Sequence, residues 1–241
     1  MTARPMALMA TEDVSRQFGS VCAVDQISIE LNADESVGLI GPNGAGKTTL
    51  LSLLSGALKP SSGRITMDGN DVTALPVHAR VAAGIAKAAQ IPQTFDRLTV
   101  RENVLLPAYF GAGLSQPDAG VWIDEVLEMT GLIDRADKVP ASLGLLDRKR
   151  LELAKAVASK PRVLLLDEIA AGLTEPEIAL MKEVVRRLQP GRAIVWVEHI
   201  PFALQDICAR LVVMDKGARL LDGPFDEVWA SDALQSTYMG M

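Results

Sequence analysis

Cysteine is scarce in this 241-residue chain: Cys22 and Cys208 stand far apart, with no CxxC pair and no Cys/His cluster. That spacing argues against a disulfide framework and a structural zinc site, and predicts two inert, buried thiols in a reducing compartment. A basic excess is missing too. Lys and Arg total 24 against 30 Asp and Glu, a net charge of −6, so the overall electrostatic footprint of a nucleic-acid binder is absent. Apolar runs are short, about five residues as around Val163–Leu166, against the ~20 needed to cross a bilayer. Any membrane role is therefore expected to come through a partner. Met1–Ala10 carries one Arg and a short apolar run but no small-residue cleavage pattern, which predicts a cytosolic chain. No repeat, low-complexity tract or linker marks a second domain. What the chain does have is apolar mass, 49% hydrophobic residues, enough for one ordinary domain core or a core with an inserted lobe.

Patterning along the chain predicts β-type runs at Val21–Val24, Ile27–Leu31 and Val37–Ile40, the last entering a glycine-rich loop. Leucines at helical spacing follow over Thr48–Leu58, and the breaker cluster Lys59–Gly63 stops them. Gly63–Met67 reads as a strand with a turn at Asp68–Asn70, and Pro76–Ala83 as a short helix. Between Thr99 and Ala158 β-branched runs thin out, and helical patterns appear at Val100–Leu106, Val121–Met129 and Arg148–Ala158, an inserted helical lobe. The grammar of a parallel sheet then returns with strand Val163–Leu166, helix Glu175–Leu188 and strand Ala193–Val197. A hairpin, Leu211–Met214 with Ala218–Leu221, and a short helix complete the pattern.

Gly41-Pro42-Asn43-Gly44-Ala45-Gly46-Lys47-Thr48 fits G-x-x-x-x-G-K-[ST], and it lies between a predicted strand and a predicted helix as the chemistry requires. The four fixed positions would coincide by accident in on the order of 1% of chains this long. Glycines let successive N–H groups face phosphate oxygens, the helix N-terminus adds positive potential, Lys47 reaches the β- and γ-phosphates, and Thr48 ligates Mg²⁺. The second half is Val163-Leu164-Leu165-Leu166-Asp167-Glu168, a buried-type strand ending in two carboxylates. The first is suited to Mg²⁺ and the second to polarising a water. A further apolar strand, Ala193–Val197, ends in Glu198-His199 at the same expected edge, where a neutral imidazole could donate to the γ-phosphate. His78, in a short helix with no chemical partner in view, reads as structural.

Phosphate loop, helical insertion, Asp-Glu strand and strand-end His, in that order, resemble an ABC-transporter ATP-binding subunit over nearly the whole chain. The resemblance implies an α/β P-loop (RecA-like) core at 1–91 and 159–241, with an antiparallel β subdomain and a helical subdomain at 92–158. It implies ATP and Mg²⁺ as cofactors. Phe18 resembles the aromatic that stacks on adenine, and Asn43 to Thr49 the nucleotide-binding loop. Gln90 resembles the Gln that joins core to lobe, senses the γ-phosphate and helps Thr48 and Asp167 hold the metal; Gln93 is its rival. Lys47, Gln90, Glu168 and His199 are thereby expected to carry catalysis. Ala171-Gly172-Leu173-Thr174 resembles the D-loop, with Thr174 in place of the usual Asp or Asn and Ile169 in place of the Pro that commonly follows the Glu. At Ser142, Leu143, Gly144, Leu145, Leu146 and Asp147, where the family carries L-S-G-G-Q or a near variant acting across a dimer, Gly144 replaces the Ser and Leu146 the second Gly.

Within the family the chain resembles in particular the cytoplasmic ATPases of branched-chain amino-acid uptake. The matching stretches are Gly41–Thr49, Leu98–Val104, Arg150–Ala154, Ala170–Leu173, Glu198-His199 and the ending Tyr238-Met239-Gly240. That likeness implies a second ATPase subunit, a heterodimer being favoured by the altered signature. It also implies two integral-membrane permease subunits, a periplasmic solute-binding protein and a place on the inner face of the membrane. The alternative is the ATPase of a lipopolysaccharide-type exporter, which Leu75–Arg80 resembles. A soluble ABC ATPase acting on DNA or ribosomes would need a second nucleotide domain, a coiled-coil insertion or basic arms. Glu168 argues against a subunit that binds nucleotide without hydrolysing it.

Overall fold

A computed structural model describes residues 7–234. The first part of Met1–Ala10 and the ending Tyr238–Gly240 lie outside the described residues. The chain begins with β1 (Met9–Phe18), β2 (Val21–Ile27) and β3 (Glu30–Leu31), then runs through β4 (Ser36–Ile40) into α1 (Lys47–Leu54). Next come β5 (Ser62–Met67), β6 (Asn70–Asp71), α2 (Val77–Ala82) and β7 (Ile85–Ala88). Three helices follow, α3 (Val100–Phe110), α4 (Gln116–Thr130) and α5 (Leu145–Ala158). The remainder comprises β8 (Val163–Asp167), α6 (Glu175–Leu188), β9 (Ala193–Val197) and α7 (Pro201–Leu204), then β10 (Arg210–Asp215), β11 (Ala218–Pro224) and α8 (Phe225–Trp229).

The main sheet has the order β11-β10-β4-β9-β8-β7, with β10 to β7 mutually parallel and β11 antiparallel on the edge. A second, antiparallel sheet joins β2, β1, β5 and β6, with β3 paired to β1. Side chains alternate across a strand, so each parallel strand feeds two cores at once. Val163 and Leu165 of β8, with Val195 and Val197 of β9, pack with Leu50, Leu51, Leu53 and Leu54 of α1 and with the antiparallel sheet. Leu164, Leu166, Ile194 and Trp196 face the other way, toward α5 and α6. Each of these fully buried side chains contributes roughly 1.5–3 kcal/mol. The arrangement is the expected α/β core with an antiparallel subdomain and a helical lobe.

Several boundaries differ from the sequence reading, each for a local reason. β1, the longest strand, has no apolar alternation in Met-Ala-Thr-Glu-Asp-Val-Ser-Arg-Gln-Phe. Two of its inward positions are polar: Thr11 donates to Ile27 O at 2.9 Å, and Ser15 accepts from Gln26 N at 2.9 Å. The expected Ile27–Leu31 run is split between β2 and β3, and α1 ends at Leu54 rather than Leu58. There Arg80, fully buried, donates to Leu53 O and Leu54 O at 2.7 Å each and holds the last carbonyls of the helix. α5 begins at Leu145, three residues before the predicted Arg148, because Gly144 takes the extended N-cap conformation (φ −67°, ψ 171°). Cys208 is buried as expected, and burial pushes its thiol up to about 12. Cys22 is only half-buried, since β2 lies at the edge of its sheet. At the start of the lobe Thr99 and Glu102 form a capping box, and the buried Asn103 receives Phe95 N–H at 2.8 Å. This gives Leu98–Val104 a structural use.

Candidate active site

Strands β4, β8 and β9 are parallel neighbours, so the segments that follow them emerge on one edge of the sheet. The segment after β4 is the phosphate loop. A Cβ on Gly41 would lie 2.1 Å from Met214 O, and one on Gly46 (φ 99°) 2.1 Å from Ala23 O, so only glycine lets the loop pass this close to its neighbours. Lys47, 5% exposed, folds back over the loop and donates to Gly41 O at 2.7 Å and Pro42 O at 3.0 Å. Burial lowers its pKa, against the opposing pull of Glu168 and Asp167. Asn43 to Thr49, together with Phe18, Ala23, Glu168 and His199, line one cleft of about 340 Å³. Phe18 reaches the cleft from the antiparallel sheet with the Arg16 guanidinium 4.6 Å over its ring, a cation–π contact the sequence reading missed.

After β8 the chain turns at Glu168, whose φ of 47° is left-handed and rare for such a side chain. The turn aims the carboxylate at the loop. Its Oε2 accepts from Gln90 Nε2 at 2.5 Å, and its Oε1 pairs with His199 Nε2 at 2.6 Å, so the ends of β7, β8 and β9 meet on one carboxyl group. Gln93 is held elsewhere, its N–H donating to Glu152 Oε2 at 3.0 Å on the lobe. Asp167 is buried and carries the Lys87 ammonium of β7 at 2.7 Å. His78 lies on α2, away from this cleft.

Two buried charges lie behind Glu168: Lys149, which the sequence reading gave no role, and Glu198, named there only as the neighbour of His199. Lys149 of α5, 4% exposed, donates to Gln90 O at 3.0 Å and Glu168 O at 3.3 Å. Glu198, 1% exposed, accepts through Oε1 from Ala170 N at 2.7 Å and Trp196 Nε1 at 2.9 Å. Burial pushes Glu198 up to about 7; the neighbouring Glu168 charge adds to this, while its two hydrogen bonds and Lys149 oppose it. A carboxylate whose folded pKa lies above its unfolded value stabilises the fold at low pH and loses that contribution as pH rises through 7. Glu198→Gln keeps the acceptor oxygen without the charge. It should gain on the order of 2 kcal/mol over the parent between pH 5 and pH 8. Urea titrations of both proteins at the two pH values check this, and a pH-independent difference refutes it.

The signature segment lies at the start of α5. Ser142 Oγ donates to Val139 O at 2.8 Å, Leu143 is buried, and Gly144 caps the helix. Leu145, 45% exposed, borders a hollow with Gln90, Lys149 and Gly172 of the D-loop. Leu146 packs on the lobe core, and Asp147 pairs with Arg150 at 3.3 Å and Arg135 at 3.5 Å. Thr174 starts α6, its N–H and hydroxyl each donating to Glu177 Oε2 at 2.8 Å.

The residues present fit a Mg²⁺–nucleotide. The donors are hard oxygens, an ammonium already rests on Asp167, and a buried Lys47 sits in the loop with its hydrogen bonds, among the described residues, to main-chain carbonyls. Among the described residues no cluster of three or more His, Cys, Asp or Glu could cage a metal by itself. Mg²⁺, which keeps waters and substrate phosphates among its ligands, does not require one.

Fold and site together define a nucleotide-binding ATPase of the phosphate-loop class. The family model described as ABC transporter matches residues 24–171. The lipopolysaccharide export ATP-binding protein LptB of Haemophilus influenzae is 30% identical over 236 residues, 98% of each chain. The branched-chain amino-acid transport ATP-binding protein LivG of Salmonella typhimurium is 31% identical over 253 residues, 97% of this chain and 98% of that one. A nucleotide-free ATP-binding cassette from an ABC transporter superposes with a TM-score of 0.86 over 98% of this chain and 100% of its own, at 24% identity, a likeness of fold. The chain belongs to the ABC transporter family, as its ATP-binding and ATP-hydrolysing domain, the part that works with membrane permeases.

Proposed function

We propose that this chain is the ATPase of an importer that takes up a branched-chain amino acid or a related small amide or carboxylate. It would act on the cytoplasmic face of the membrane, with two permease subunits, a second ATPase subunit and, at one remove, a periplasmic solute-binding protein. Similarity to LivG and to LptB is nearly equal. The observation that favours the importer is the Glu198-His199 pair closing β9, which resembles the uptake ATPases and here holds Ala170 and Glu168 from one strand end. The second reading, a lipopolysaccharide-type exporter, rests on the LptB similarity and the Leu75–Arg80 likeness.

In the proposed cycle Phe18 stacks on adenine, Lys47 leaves its loop carbonyls for the β- and γ-phosphates, and the amides of Gly44 to Thr48 donate to phosphate oxygens. Thr48, Gln90 and Asp167 would hold Mg²⁺, which supplies charge neutralisation to the phosphate oxygens. Gln90, in leaving Glu168, releases Oε2 to orient and deprotonate the attacking water. His199 turns its Nε2 proton to the γ-phosphate.

A groove of about 340 Å³ lies between α2 and β7 of the core and α3 and α5 of the lobe, lined by Val77, Val81, Ile85, Pro107 and Ala156. Both the core and the lobe contribute to its wall. We assign it to a short cytoplasmic helix of the permease, with Gln90 at the hinge. A deletion strain should lose uptake of one such solute and recover it with the parent chain, and a cysteine at Val77 should crosslink to a permease loop. Normal uptake with defective lipopolysaccharide delivery refutes the importer, and crosslinks confined to the β10–β11 hairpin refute the groove.

A further inference from the structure

We propose that Lys149 is a positioning residue for Glu168, by which the signature helix sets the aim of the carboxylate that orients water. This rests on the reading of Glu168 given above. Burying an ammonium carries a large desolvation penalty. Arg148 and Arg150, its neighbours on α5, keep more of their surface in water. Lys149 instead points inward, and among the described residues no carboxylate oxygen lies within ion-pair distance of it. Glu198 and Glu168 balance its charge only at longer range, and burial lowers its pKa. A leucine would cover the same surface more cheaply, so the position is used for its donors.

Those donors reach two main-chain carbonyls, Gln90 O and Glu168 O. They belong to the two residues whose side chains meet at 2.5 Å. One ammonium thus joins the lobe, the hinge into the lobe and the end of β8. The need is local. Glu168 sits at φ 47°, a strained conformation that persists only where its surroundings over-determine it. Three bonds around it are main-chain or strand-borne: Glu168 N to Val197 O at 2.9 Å, Ala171 N to Glu168 O at 3.1 Å, and Ala170 N to Glu198 Oε1 at 2.7 Å. Lys149 supplies the one that comes from the lobe. When the lobe rotates about the Gln90–Pro92 hinge, Lys149 moves with α5, and the two carbonyls follow or lose their donor. Docking on the lobe is then felt at Glu168 without any contact to nucleotide.

The test is a double-mutant cycle of Lys149→Met with Glu168→Gln in the full chain assembled with its membrane subunits. MgATP affinity, KM and single-turnover rate are the readouts. Misplacement of a catalytic group costs up to about 100-fold. Lys149→Met should therefore lower the chemical rate about 10- to 100-fold, with KM and MgATP affinity within about threefold of the parent, and should add almost nothing in the Glu168→Gln background. A general structural defect would lower both backgrounds alike or appear in affinity. Either of those results, or parent turnover in Lys149→Met, overturns the proposal. If Lys149→Met does not fold, Lys149→Gln, uncharged and one bond shorter to its nitrogen, runs the same cycle under the same criteria. Parent turnover in Glu168→Gln alone would instead strike the reading of Glu168.

Discussion

Glu168→Gln should bind MgATP with the parent's affinity and lose about 100-fold or more of its turnover, accumulating in an ATP-loaded state. In the proposed cycle the affinity resides in the phosphate loop and Lys47, whereas Glu168, held by Gln90 and His199 at the mouth of the same cleft, acts on water. Positioned proton transfer is worth about 10²–10⁴-fold, which sets the expected loss. Lys47→Ala should show the opposite signature. A charge-assisted hydrogen bond contributes about 1.5–3 kcal/mol, so nucleotide binding itself should weaken roughly tenfold or more. Equilibrium binding of a fluorescent ATP analogue, run beside steady-state turnover, separates the two. Equal turnover in Glu168→Gln and parent would remove Glu168 from its role.

The second large effect concerns which subunit completes each site. In the family the signature loop crosses a dimer and offers a hydroxyl, glycine backbone and a helix N-terminus to the partner's γ-phosphate. Here the helix N-terminus is present at Leu145, but Gly144 has no hydroxyl, and Leu145 and Leu146 place bulk on the first turn of α5. Leu145 is partly exposed beside Gly172 of the D-loop. We therefore expect an asymmetric heterodimer, in which this chain's loop, Glu168 and His199 are completed by another subunit's normal signature. The opposite site binds ATP and turns over slowly. Glu168→Gln should then remove most activity of the pair, and the equivalent change in the partner much less. A Cβ on Gly144 meets nothing within 4 Å and the backbone there is extended, so Gly144→Ser fits without strain and adds a good N-cap. Combined with Leu145→Gly and Leu146→Gly, it should raise turnover at the slow site. Robust, cooperative hydrolysis by a homodimer of the parent chain sinks the asymmetric assembly.

Most of the cleft was legible because its residues lie in short contiguous stretches with their own local logic. Gly41–Thr48 reads as strand, loop and helix, and Asp167-Glu168 and Glu198-His199 close wholly apolar strands. The parallel sheet then brings these separate ends to one edge, where the cleft gathers Phe18, Asn43 to Thr49, Glu168 and His199. Lys87, Lys149 and Arg80 were not legible. In sequence each is a cation among ordinary neighbours, and Arg148-Lys149-Arg150 looks like a solvated patch. Nothing local says that the middle residue turns inward while the outer two stay nearer solvent.

The amino-acid sequence by itself determined the strand–loop–helix grammar, the phosphate loop and the paired carboxylates, because period, turn chemistry and short motifs act within a few residues. It did not reveal β1, whose inward Thr11 and Ser15 bond across to the segment from Gln26 to Ile29. Only the tertiary structure decided that Gln90, rather than Gln93, meets Glu168, that α5 starts at Leu145 with Gly144 as its cap, and that Lys149 and Glu198 are buried around the Glu168 turn. The physical reason is that burial of a charge is set by what packs over it from distant parts of the chain. Here α5, the Gln90 hinge and the ends of β8 and β9, remote in sequence, close over one left-handed residue.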